Sequence, residues 1–132
     1  MTEIELNDLL NKIQQIKSES QFLEIKAAHL GCPTKLYDTM SGFSNQDEGG
    51  IILFGVDEIN DFKEVGVYDA QDLQKHVVEQ CNQMEPAIRP LFTIFSKNGL
   101  VFVTAEIPGL DMTQRPCFYS GKGRMKGSYI RV

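Results

Sequence analysis

Residues 41–57 read SGFSNQDEGGIILFGVD, and their reading decides the fold. A helix ends here. Asn45 and Asp47 favour a turn, and Gly49-Gly50 supplies backbone angles that other residues adopt only at a cost. Residues 51–56 carry no polar side chain, which predicts a strand buried on both faces. Asp57 follows at the carboxyl end of that strand, where open α/β sheets tend to place functional groups.

Upstream, Thr2-Glu3-Ile4-Glu5 has the spacing of a capping box, and Leu6, Leu9, Leu10 and Ile13 recur at helical intervals. An amphipathic helix over 3–16 is expected. Residues 21–28, QFLEIKAA, alternate as a strand does, with Leu23, Ile25 and Ala27 on one face and Phe22, Glu24 and Lys26 on the other. Glu24 beside Lys26 reads as a solvent-facing ion pair or as an acid beside a cation in a cleft. Thr34 is placed to cap a second helix, with Leu36, Met40 and Phe43 as its buried stripe.

Downstream, residues 57–61 read as an acidic turn and 62–67 as a short strand. Asp69 caps a third helix with the stripe Ala70, Leu73, Val77, Cys81 and Met84, and Asp72 suits its positive end. His76 lies beside that stripe with no partner at fixed spacing and reads as a surface histidine. Lys97-Asn98-Gly99 stands between two β-rich runs, LFTIFS and LVFVTAE, and its Asn-Gly signals a hairpin. Residues 116–119 form a short strand, 120–127 a basic glycine-rich loop, and 128–132 a last strand. The fold class expected is α+β, a mixed sheet of about five or six strands with about three helices.

The chain has 132 residues, 42% hydrophobic and 23% charged, enough for one globular domain spanning 1–132. The β-rich run stops abruptly at Val132, so this domain is expected to be the N-terminal part of a longer protein. No apolar run approaches the ~20 residues of a membrane span, and the polar, acidic start is unlike a signal peptide. Cys32, Cys81 and Cys117 are odd in number and widely spaced, which fits free thiols in a reducing cytoplasm. The net charge is −5. It divides unevenly, −9 over residues 1–110 and +4 over 111–132. The basic segment reads as a solvated loop or as an electrostatic footprint for nucleic acid. Neither Gly121-Lys122-Gly123 nor Gly49-Gly50 has the spacing or context of a phosphate loop or a dinucleotide fingerprint.

Four pieces stand in one order: residues 19–26 (ESQFLEIK), 42–45 (GFSN), 49–58 (GGIILFGVDE) and 127–132 (GSYIRV). Together they resemble the Schlafen AlbA-like, or divergent Alba, family, whose pattern runs ExxxxEFK, AFANTxGG, a hydrophobic strand ending GVDD or GVDE, and YIRVG. Ile25 stands for the usual Phe, Gly42 and Ser44 for alanines, and Gln46-Asp47-Glu48 enlarges the turn. The resemblance implies nucleic-acid binding, DNA first, in a bacterial transcriptional regulator or RecG-related ATP-dependent helicase-like protein. Arg115, Lys122, Arg124, Lys126 and Arg131 are the expected phosphate contacts, with no cofactor required for binding.

The resemblance also implies an alternative. Some Schlafen cores cut RNA with three acids and a divalent metal, and the matching positions are Glu19, Glu24 and Asp57, with Glu58 adjacent to the last. Such carboxylates could hold Mg²⁺ or Mn²⁺ and activate water for hydrolysis of structured RNA or DNA. Lys26 could then contact the scissile phosphate. Glu19 and Glu24 are five residues apart and converge only if the chain bends between them. The structural reading is an ion pair at Glu24, a turn cap at Asp57 and a solvated Glu19. A second alternative is a protein-interaction or dimerisation module. A homodimer could complete a groove under any of these readings.

Overall fold

A computed structural model gives the fold and describes residues 1–123 and 127–131. Among the described residues, three α-helices, α1 (Glu3–Ile16), α2 (Tyr37–Ser44) and α3 (Ala70–Asn82), accompany eight short strands. Strands β1 (Leu23–Lys26), β2 (Gly50–Phe54), β6 (Leu91–Lys97) and β7 (Leu100–Ile107) make a mixed sheet in the order β1-β2-β7-β6. β1 runs parallel to β2, and the other two pairings are antiparallel. The remaining strands form two small ribbons, β3 (Val56–Asp57) with β4 (Lys63–Glu64), and β5 (Met84–Glu85) with β8 (Phe118–Tyr119). The fold is thus α+β with a four-stranded mixed sheet and two satellite ribbons.

The sequence explains most of these elements. Thr2 and Glu5 close a full capping box at the start of α1. Asp69 accepts from the amides of Gln71 and Asp72 at the start of α3. The two-residue turn at Asn98 and Gly99, φ 52° and 76°, fits the right-handed twist of the hairpin β6–β7. Ile52 and Phe54 of β2 join the apolar cluster under α2 and α3, whereas Leu53 joins the cluster under α1. The central strand is therefore buried on both faces, as its composition requires.

Several local expectations change. Of the glycine pair only Gly49 has a left-handed angle, φ 65°. Gly50 is required for space, because a Cβ there would lie 2.1 Å from the Phe43 ring. The apolar strand breaks at Gly55, φ 117°, and Val56-Asp57 leaves the main sheet to pair with β4. Thr34 does not cap α2. Leu36 is at the N-cap, and its amide donates instead to Gln80 Oε1 at 3.2 Å. Met84 lies beyond α3, in β5. Among the described residues the expected last strand is reduced to one bridge between Ser128 and Phe118.

Residues 117–119 and 127–131 return to α2 and the edge of the sheet, and beyond the β5–β8 ribbon they are fastened there by side chains. Asn45 Oδ1 accepts from the Cys117 amide at 2.7 Å, and its Nδ2 donates to the carbonyls of Cys117 and Tyr129. Ser41 Oγ donates to the Cys117 carbonyl and accepts from the Tyr129 amide. The polar residues that close α2 therefore fasten a segment more than 70 positions away.

Candidate nucleic-acid interface

β1 is an edge strand, so its outward amides and carbonyls need partners from elsewhere. A tight turn supplies one. Ser20 and Leu23 exchange backbone hydrogen bonds, which folds Glu19 back along β1. Glu19 Oε1 then accepts from the outward Ile25 amide at 2.8 Å. The chain bends between Glu19 and Glu24, as their convergence demands.

The acid that meets Glu19 is Glu58. Burial pushes its carboxyl up to about 7, reinforced by a hydrogen bond to Glu19 and by repulsion from Glu19 and Glu24, and opposed by Lys26. Asp57 is almost fully buried, and its Oδ2 accepts from Asn60 Nδ2 at 2.6 Å. Glu24 sits between two cations, 3.3 Å from Lys26 Nζ and 3.2 Å from Arg131 Nη1. The candidate residues Glu19, Glu24 and Lys26 thus lie in one cluster with Glu58, and Asp57 is tied into its own turn.

These carboxylates do not fit a resident Mg²⁺ or Mn²⁺ as they stand. Glu24 is neutralised by two cations, Glu19 holds a backbone amide, and Glu58 is only about half ionised at neutrality. Among the described residues no group of three His, Cys, Asp or Glu side chains could hold a metal ion.

The expected phosphate contacts separate into three kinds. Arg131 is an internal clamp. Its guanidinium donates to Glu24 and to the carbonyls of Ser20, Gln21 and Leu23, and it lies 4.4 Å over the Phe43 ring. Arg115 is likewise committed, to the Leu110 carbonyl and to Asp47 Oδ1 at 2.7 Å. Lys122 is exposed on the basic loop. Arg124 and Lys126 of the same loop lie outside the described residues. The loop is moored at both ends, by Ser120 on the Gln83 carbonyl and by Gly127 paired with Tyr119 and Gly123.

Folding brings Lys122 together with residues that local sequence did not mark. A cleft of about 340 Å³ is lined by Lys35, Tyr37, Asp38, Tyr119, Lys122 and Tyr129. Tyr37 and Tyr119 stack with ring centres 3.8 Å apart. Their positions come from three separate parts of the chain, so no local spacing could signal them. His76 is exposed, as expected of a surface histidine, but it does have a partner at helical spacing, Asp72 four residues earlier.

A family model described as Schlafen, AlbA_2 matches residues 19–132. Among solved structures, the N-terminal domain of a RecG-related protein from Nitrosomonas europaea is similar, with a TM-score of 0.75 and 27% identity. That match covers 95% of this chain and 86% of the other. A protein from Corynebacterium diphtheriae has the same fold at a TM-score of 0.51 and 12% identity, over 89% of this chain but 24% of its own. No curated protein sequence matches the chain. None of the described helices is long and apolar enough to cross a membrane.

Proposed function

The chain belongs to the Schlafen AlbA_2 family, and from that premise we propose that it is a nucleic-acid-binding module, acting on DNA within a larger regulator or helicase-like protein. The observation that carries this reading is the basic loop 120–127. Arg115 and Arg131 spend their charge inside the fold, whereas Lys122 stands exposed on a loop whose ends are fixed. Arg124 and Lys126 share that loop in sequence. Along the sequence the charge is −9 over residues 1–110 and +4 over 111–132, which concentrates attraction for phosphates in the segment that holds this loop. Similarity to the N-terminal domain of a RecG-related protein supports the same assignment.

The test is fluorescence anisotropy with labelled single-stranded and duplex oligonucleotides across a salt series. Binding should weaken steeply with salt, and replacing Lys122, Arg124 and Lys126 together with alanine should cost at least ~tenfold at low salt. Wild-type protein that binds neither probe, or a triple variant that binds as well as wild type, overturns the assignment. The metal-dependent nuclease reading has its own outcome in the same samples. Mg²⁺- or Mn²⁺-dependent cleavage by the wild type, abolished in Glu24→Gln, would displace the binding-only reading. Lack of affinity together with concentration-dependent self-association would favour a dimerisation module.

A further inference from the structure

We infer that the cleft between the start of α2 and the basic loop is a seat for one unpaired nucleotide of a single-stranded nucleic acid, with the base against the tyrosine rings and a flanking phosphate between Lys35 and Lys122. The inference rests on the nucleic-acid reading above and adds to it a strand preference and a contact surface.

The cleft brings together three of the chain's four tyrosines and two lysines from sequence positions 35–37, 119–122 and 129. Aromatic faces stack on any base, and neighbouring cations track the backbone, which is how single strands are bound without a sequence code. Neither Lys35 nor Lys122 has an ion-pair partner among the described residues, a state they share with Lys12, Lys63 and Lys75, but only these two line a cleft together with tyrosine rings. Asp38 is the one acid in the lining, and its Oδ1 accepts from the Thr39 amide.

Two of the three rings, Tyr37 and Tyr119, are set in place before any ligand arrives, and the backbone of Tyr129 is fixed beside them. Tyr37 stacks on Tyr119 at an interplanar angle of 14°, and its hydroxyl donates to Gln83 Oε1 at 2.8 Å. Tyr119 is paired with Met84 in the ribbon β5–β8. Tyr129 is fixed by Ser41 through its amide and by Asn45 through its carbonyl. Pre-set rings lose little freedom on binding, so little of the stacking energy is spent on ordering them. A cleft of about 340 Å³ has room for one nucleotide unit and not for a duplex, whose bases are stacked inside and whose rings cannot reach the tyrosines.

Two measurements test this. Lys35→Ala and Tyr129→Ala, both at exposed positions, should each weaken binding of a thymidine octamer by about tenfold and leave duplex binding unchanged. In wild-type protein with labelled tyrosine rings, the octamer should shift the NMR ring signals of Tyr37, Tyr119 and Tyr129. An abasic octamer of equal charge should not, and Tyr68 serves as the internal control. If neither octamer nor duplex binds wild type, the nucleic-acid reading and this inference fail together. If both bind, yet the ring signals stay still and the two variants bind as wild type, the cleft assignment alone is overturned.

Discussion

Glu58 shows how one side chain records its surroundings. Its carboxyl is raised from 4.5 to about 7, first by burial and then by Glu19 and Glu24. The folded state therefore holds a proton that the unfolded chain has released between those two values. Stability from this group is fully present below about pH 4.5 and is lost as the pH rises through about 7. Thermal unfolding followed from pH 5 to 8 should show the melting temperature falling, and Glu58→Gln should flatten that part of the profile. Parallel profiles for the two proteins would remove the assignment. The sequence carried both acids side by side at 57 and 58. It could not say which one meets Glu19, because the choice is made by the kink at Gly55 and by Asn60 taking the Asp57 carboxylate.

The elements were easier to foresee than their attachments. Helices α1 and α3 and the hairpin β6–β7 carry their own caps, stripes and turn residues, so local sequence determines them. Residues 117–119 and 127–131 are different. Their anchorage depends on Ser41, Asn45 and the carbonyls of residues 20–23, none of which is local. A basic arginine in such a segment reads as surface charge, yet Arg131 has its donors satisfied 107 to 111 positions away. Arg131→Ala should therefore destabilise the fold by roughly 2 kcal/mol, since it leaves Glu24 with one cation and strips outward carbonyls of partners. Arg131→Lys should not restore it, because an ammonium cannot serve several acceptors in one plane. Denaturant unfolding reads the difference. An unchanged midpoint with weakened oligonucleotide binding would instead return Arg131 to the phosphate contacts.

Across the whole molecule, the sheet separates two apolar clusters, one under α1 and one under α2 and α3, and β2 serves both. Charge is divided on the same scale. Acids dominate the body, and Lys35 and Lys122, which have no ion-pair partner among the described residues, line the cleft where residues 119 and 129 meet the start of α2. A chain ending at residue 110 keeps all four strands of the sheet. It loses the partners of Ser41, Asn45 and Glu24, the cover over Phe43, and Cys117 from the larger cluster. Such a chain should lose the sharp cooperative transition of the full domain and expose apolar surface to a hydrophobic dye. A sharp transition and no dye binding would show that the returning segment is dispensable.

That fastening has a temporal side. A ribosome delivers Glu24 of β1 107 residues ahead of its partner Arg131, so the edge of the sheet stays open until that clamp emerges. An open edge invites pairing with other chains. The nascent polypeptide is therefore most prone to aggregate after the hairpin has emerged and before Arg131 reaches Glu24.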